Sequence, residues 1–252
     1  MVRRIHIDET GITRFDRDTF KHEVFDYADG DHATFLAPFG GGKTQLALEL
    51  LATCASPDRQ GTIFVMKPKD KTITKFTPIL GFETIRDWPP SQVHVLKRAF
   101  GQKPPGYVLW PRDTGNIDYD EWNQTQVFTR ALSMMYSAAK KKANIMFCDE
   151  TYSLEKELGL TRYLRRSWSK GRSVGNGLWA GSQRPAFIDQ LAYQAQHLFL
   201  GYDADVRAQD RYAEIGGGID PIIVKSIIAQ LGRFEFLYIN RDERSMCIIE
   251  AS

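Results

Sequence analysis

The sequence predicts an α/β fold: a mostly parallel central sheet flanked by helices, with a C-terminal β-hairpin. Three observations carry this expectation. Short β-rich apolar runs alternate with longer helical segments, the order that builds parallel sheets through crossover helices. Three consecutive glycines, Gly40, Gly41 and Gly42, sit between an apolar run and a leucine-rich one. The apolar residues Ile145, Met146, Phe147 and Cys148 end in a carboxylate pair, Asp149 and Glu150, as expected at the C-terminal tip of a central strand.

In chain order, residues 5–28 are polar and alternating and predict one or two peripheral strands. A short buried strand is expected over 33–37. Leu46, Leu48, Leu50 and Leu51 mark a helix over 43–54, and a second buried strand follows over 62–66. Residues 67–105 contain Pro68, Pro78, Pro89, Pro90, Pro104 and Pro105. Proline lacks a donor and restricts the residue before it, so this stretch reads as irregular, with one strand over 93–96. A strand over 107–110 precedes a long helix over 124–142, whose Lys140, Lys141 and Lys142 suit a helix C-terminus. Then come the strand over 145–148, a basic helix over 158–170, a strand over 178–181 and a helix over 186–195. A strand over 197–200 and helices over 204–215 and 220–230 follow. The hairpin pairs 234–239 with 246–250 around Asn240, Arg241, Asp242 and Glu243. No Gly-, Pro- or Ser-rich linker divides the chain, so one domain over 1–252 is expected, with 1–30 peripheral, 31–240 as core and the hairpin over 233–250.

Composition sets the class. With 42% hydrophobic and 25% charged residues over 252 positions, the chain is an ordinary globular one rather than disordered, collagen-like or coiled-coil. Thirty-three Lys+Arg against 31 Asp+Glu leave a net charge of +2, so any nucleic-acid contact must be a local patch. Cys54, Cys148 and Cys247 are odd in number and far apart, which fits a reducing compartment and no disulfide framework. No apolar leader and no apolar run near the roughly 18 residues of a membrane span is present, and a cytoplasmic location is expected. The dispersed histidines, His94 and His197 among them, read as structural or surface residues. The tryptophans Trp88, Trp110, Trp122, Trp168 and Trp179 read as core or interface.

The most informative stretch is Ala37-Pro38-Phe39-Gly40-Gly41-Gly42-Lys43-Thr44. It fits the P-loop spacing, with Ala37 in place of the usual first glycine. Glycines that can take positive φ let the backbone wrap an anion, and inward N–H groups with a helix N-terminus favour a phosphate. Lys43 would reach the β- and γ-phosphates and Thr44 would ligate Mg²⁺. The nucleotide-binding set is therefore Ala37, Pro38, Phe39, Gly40, Gly41, Gly42, Lys43, Thr44 and Gln45; the competing reading is a glycine-rich turn with an incidental Lys-Thr. The second acidic element is Asp149, expected to hold Mg²⁺ through water, with Glu150 as general base. The strand over 178–181 runs into Ser182, Gln183, Arg184 and Pro185. Gln183 is the candidate sensor, since its amide can donate to phosphate and accept from water; a plain helix start, capped by Ser182, is compatible with this.

These three elements together resemble the FtsK/HerA group of P-loop ATPases. The resemblance covers roughly residues 30–240. It implies a RecA-like core with an additional strand and a catalytic glutamate, ATP and Mg²⁺ as ligands, and a homo-oligomeric ring, hexameric or pentameric, acting on double-stranded DNA. Ala37 for glycine and Ser182 for threonine depart from the pattern. A core that fills the chain is most similar to the small viral genome-packaging ATPases, which implies host cytoplasm or virion as location and a portal or capsid vertex as a further partner.

Ring ATPases of this kind complete the site with an arginine from the next subunit. Arg172, between the acidic pair and the Gln183 strand, is the first choice, with Arg184 and Arg207 as rivals. Arg162, Arg165, Arg166 and Lys170 recur at helical spacing, as a contact face or as a solvated basic face. DNA-contacting loops are expected after Trp110, over 111–117 with Arg112, and after Glu150, over 151–156. Lys67, Lys69, Lys71 and Lys75 form a second basic patch. Two alternatives stand beside the DNA motor. One is an ATPase of the same core driving assembly, secretion or remodelling. The other is a nucleotide-dependent binding module with little turnover, which the presence of Glu150 disfavours.

Overall fold

The computed structural model describes residues 7, 10–91, 103–138, 142–183, 187–215 and 219–251. The central strands form because their residues are apolar on both faces, which only a sheet covered on both sides can bury. They are β2 (Ala33–Leu36), β3 (Arg59–Phe64), β5 (Gly106–Leu109), β6 (Ala143–Cys148), β7 (Asn176–Ser182) and β8 (His197–Gly201). Short β1 (Arg14–Phe15) and β4 (Glu83–Ile85) form the two edges, and β9 (Phe236–Asn240) and β10 (Ser245–Ile249) form the C-terminal hairpin. The ten strands run in the order β1-β10-β9-β8-β2-β7-β6-β3-β5-β4. All neighbours from β8 to β4 are parallel, while β9 is antiparallel to both β8 and β10.

Strand alternation divides the core into two layers. On one face Phe35, Ile63, Phe147, Trp179 and Phe199 meet α2 (Lys43–Cys54) and α3 (Lys71–Leu80) through Leu46, Leu50, Ile73 and Phe76. The rings of Phe35 and Phe199 stack with centroids 4.5 Å apart. On the other face Leu36, Phe64, Met146, Leu178 and Leu200 meet α4 (Ile117–Ala138), α6 (Thr161–Lys170), α7 (Val206–Ile215) and α8 (Pro221–Ile228). The apolar face of α4 is Val127, Phe128, Ala131, Leu132 and Met135, a helical spacing. Cys54, Cys148 and Cys247 are buried free thiols, and burial pushes the Cys54 thiol up to about 11.

The register aligns the strand ends. Leu36 sits opposite Ser182 and Leu200, Ala180 opposite Cys148, and Cys148 opposite Phe64. Residues that follow these positions therefore emerge at one edge of the sheet, the usual ligand edge of open α/β folds.

Several expectations need correction. Residues 10–28 yield only β1, followed by a helical segment, α1 (Arg17–Thr19) continuing as a π-helical turn over Phe20–Val24. Asp16 starts it by accepting from the amides of Asp18 and Thr19. The stretch read as irregular contains α3, with Asp70 capping Ile73 N, Pro78 in the last turn and Gly81 closing it in the left-handed region, and also β4. The expected strand over 93–96 lies outside the described residues. The long helix starts earlier than expected, at Ile117. A further helix, α5 (Thr151–Lys156), directly follows Glu150. In place of a helix over 186–195 there is a 3₁₀ turn, Gln190–Gln194, capped by Asp189.

Candidate active site

The loop from β2 to α2 is built by its glycines in two different ways. Gly40 and Gly42 adopt φ of +72° and +87°, conformations that a side chain would strain. Gly41 does not; it is glycine for want of room, since a Cβ there would lie 2.9 Å from Ala37 Cβ and 3.1 Å from Pro38 O. A Cβ on Gly201 would likewise meet Ala37 Cβ at 2.8 Å. The methyl group that replaces the usual first glycine is thus accommodated by two glycines across from it. Gly41 N donates to Pro38 O, and Gly42 O accepts from Leu46 N to open α2. Lys43 and Thr44 occupy the first turn, with Lys43 buried and Gln45 exposed. Phe39 is exposed at the crest of the loop.

The acidic pair emerges two strands away, at the tip of β6. Asp149 is buried and accepts from Thr44 Oγ1 at 2.5 Å. Burial raises its carboxyl above the usual range, against the opposing pull of Lys43 and Thr44. Gln183, just past β7, donates from Nε2 to Glu150 Oε1 at 2.9 Å. Close approach of the strands makes this possible: a Cβ on Gly181 would lie 2.6 Å from Asp149 O. The loop, the carboxylates and the glutamine therefore converge at one edge. Beside them opens a cavity of about 530 Å³, lined among others by Phe39, Met66, Lys67, Gln124, Glu150 and Gln183.

Lys67 belongs to this site rather than to a surface patch. Its Nζ lies 3.1 Å from Glu150 Oε2 and 3.6 Å from Asp149 Oδ2. Although burial opposes its charge, these carboxylates raise its pKa. Trp110 Nε1 donates to Lys67 O and Gln124 Nε2 to Met66 O, fixing the backbone beyond β3. The sequence signal was a lysine just past a strand end; its partner became visible only once β3 was seen to pair with β6. Of its companions, Lys69, Lys71 and Lys75 are exposed.

Arg172 lies at the opposite edge of the sheet, in a 3₁₀ turn before β7. Its Nη2 is 2.7 Å from Asp242 Oδ2 and its Nε 3.4 Å from Asp31 Oδ1. Burial opposes ionisation of Asp31, but His197 and Arg172 hold it below the usual carboxylate range. His197 also contacts Tyr238 Oη at 2.8 Å, and burial pushes neighbouring His32 down to about 4. Arg207 is exposed after β8, at the edge that carries the glycine loop; Arg184 falls outside the described residues. Of the basic helix, Arg165 pairs with Asp189 and the Arg166 guanidinium lies 4.2 Å from the Tyr136 ring centroid. Exposed Arg162 and Lys170 flank them. The segment after Glu150 is helix α5. The one after Trp110 is a loop gathered by Asp120, which accepts from the amides of Thr114 and Gly115.

No protein-family model matches the sequence, and no curated protein matches it either. Solved structures do match. The genome packaging NTPase B204 of Sulfolobus turreted icosahedral virus 2 in complex with AMP superposes with a TM-score of 0.62 at 15% identity, covering 90% of this chain and 100% of that one. Its complex with ATP-gammaS gives 0.61 at 15% identity over the same shares. VirB4 of Thermoanaerobacter pseudethanolicus gives 0.62 at 12% identity, covering 88% of this chain and 89% of that one. The chain has the P-loop ATPase fold of these proteins. In this P-loop fold β7 is the additional strand that the FtsK/HerA resemblance implies, standing between the loop strand β2 and the acidic strand β6. Among the described residues, no helix is long and apolar enough to cross a membrane.

Proposed function

We propose that this chain is a magnesium-dependent ATPase that moves double-stranded DNA, as a viral genome-packaging motor working in a ring of identical copies. The observation that carries the reading is the linked set Thr44–Asp149 and Glu150–Gln183, joined by hydrogen bonds across three strand tips beside the glycine loop. The fold shared with packaging NTPase B204 supports it.

The residues present fit a magnesium-bound triphosphate. Gly40 and Gly42 curl the backbone into an anion nest at the start of α2. The Thr44 hydroxyl and Asp149 carboxylate are the hard oxygen donors that magnesium takes alongside phosphate oxygens. Magnesium bound there would neutralise charge on the β- and γ-phosphates. Lys43 draws the terminal phosphates toward the loop, and Glu150 orients a water and accepts its proton. The water oxygen bonds to the γ-phosphorus as the bond to the β–γ bridging oxygen breaks, yielding ADP and phosphate. Gln183, anchored on Glu150, registers whether the γ-phosphate is present and passes this to the segment beyond β7.

In a ring, the 530 Å³ cavity next to Glu150 is where a neighbour's arginine would neutralise transition-state charge. Arg172 serves only if subunit contact opens its pairs with Asp31 and Asp242, whereas exposed Arg207 makes no ion pair among the described residues. DNA contact rests on a few exposed cations per copy, Arg112, Lys69 and Lys71 among them, multiplied by the ring. The test is ATP turnover by the purified chain with and without duplex DNA, alongside its mass in solution. DNA-stimulated turnover by an oligomer is expected. Robust turnover indifferent to DNA would reassign the motor to assembly, secretion or remodelling.

A further inference from the structure

The glycine loop and the acidic pair account for the phosphate end of a nucleotide and leave the base unplaced. Sheet order gives its direction. Glu150 and Gln183 follow the ends of β6 and β7, to one side of β2. With the terminal phosphate on that side, the ribose and base must leave toward β8 and β9. Because β9 runs antiparallel to β8 and pairs Phe236 with Gly201, the start of β9 reaches the same edge as the loop.

Two residues before β9 stands Phe234, whose Cδ1 would be 2.9 Å from a Cβ placed on Gly42. Its ring thus rests on the last glycine of the loop. Three features set it apart from a core residue. Its φ is +67°, a region that a bulky residue rarely enters and that clusters at functional positions. The residue is 38% exposed, whereas Phe236 is fully buried. The Arg233 guanidinium lies 4.6 Å from its ring centroid, and Arg233 is exposed. The unusual backbone is held in place: Arg17 Nη2 donates to Phe234 O, and Arg17 Nη1 pairs with Glu49 Oε2 on α2. Glu49 Oε1 in turn accepts from Gln45. The strand entry is thereby tied to the first turns of the helix that carries the phosphate site.

An aromatic face and a guanidinium plane are the two flat surfaces proteins use to stack on a nucleobase without reading its edge. We propose that Phe234 and Arg233 form the seat of the nucleoside base, with Gln45 beside the ribose; this rests on the reading of the loop as a triphosphate site. Phe234 is therefore a nucleotide-binding residue that discriminates nucleoside triphosphates from bare polyphosphate, with little preference among bases.

The experiment is calorimetric affinity for Mg-ATP and for Mg-tripolyphosphate, measured on the wild-type chain and on Phe234→Ala, Phe234→Tyr and Arg233→Ala. Loss of one stacked base weakens binding by about tenfold. That loss is expected for ATP in Phe234→Ala, with tripolyphosphate within about twofold and ATP affinity restored in Phe234→Tyr. Arg233→Ala, a change at an exposed side chain, should show a smaller loss for ATP alone, which keeps the test open if Phe234→Ala misfolds. Unchanged ATP affinity in both alanine variants, or an equal loss for both ligands, would overturn the assignment while sparing the phosphate site. A wild-type chain that binds neither ligand would overturn both.

Discussion

Gln183 Nε2 and Glu150 Oε1 are 2.9 Å apart, so the tip of β7 is tied to the carboxylate proposed as the general base. An isosteric amide in place of a general base leaves the phosphate cradle undisturbed but cannot accept the water's proton. Glu150→Gln should therefore bind Mg-ATP like wild type while turnover falls by about 10²-fold or more. Parallel binding and turnover measurements check this; near-normal turnover would remove Glu150 from the role.

Lys67 places a cation against both carboxylates. In the nucleotide-free chain that charge competes with a divalent ion for the same oxygens. Lys67→Ala should bind Mn²⁺ more tightly in the absence of nucleotide, by up to about tenfold, or ~1.4 kcal/mol. Electron paramagnetic resonance titration of free Mn²⁺ measures it, and unchanged or weaker binding would mean the lysine does not govern the carboxylates.

Gly41 and Ala37 share one small space. Gly41→Ala should weaken nucleotide binding by about tenfold or more, through displacement of the loop. Ala37→Gly alone should be close to neutral, and the double variant should recover part of the loss, giving a non-zero coupling in a double-mutant cycle. Strict additivity of the two changes would contradict the packing argument.

Burial raises Glu155 on α5 from 4.5 to about 7. The folded chain then holds a proton that the unfolded chain has released, so this group's contribution is complete below pH 4.5 and is lost as pH rises toward 7. Glu155→Gln should flatten that part of the stability profile and unfold at higher denaturant than wild type at pH 8. Urea midpoints across the pH range measure it; parallel profiles for the two proteins would show that Glu155 ionises normally.

The elements legible in the sequence are those whose signal is local. The 43–54 helix and the strands ending at Leu36 and Cys148 announce themselves by apolar runs next to glycines or carboxylates, and with them came Lys43, Thr44, Asp149, Glu150 and Gln183. The helix α3 was hidden because Pro78, which lacks the N–H that would continue the helix, reads as a breaker, although the Asp70 cap was present to find it. Lys67 was hidden differently: its charge was visible, but its partners sit some 80 residues away and meet it only through the pairing of β3 with β6. The setting of Phe234 depends on a backbone angle and on hairpin placement, neither of which composition or spacing encodes. The division of labour among the three glycines was likewise invisible, since positive φ and lack of space favour the same residue.

The proposed DNA motor requires coupling between the nucleotide edge and DNA. The direct measurement is ATP turnover by the wild-type chain with and without duplex DNA of unrelated sequences, across a salt series. Phosphate-directed contacts predict stimulation that is insensitive to sequence and declines steeply as salt rises. Turnover unaffected by DNA at every salt concentration, with no DNA bound, would rule out the proposed DNA motor.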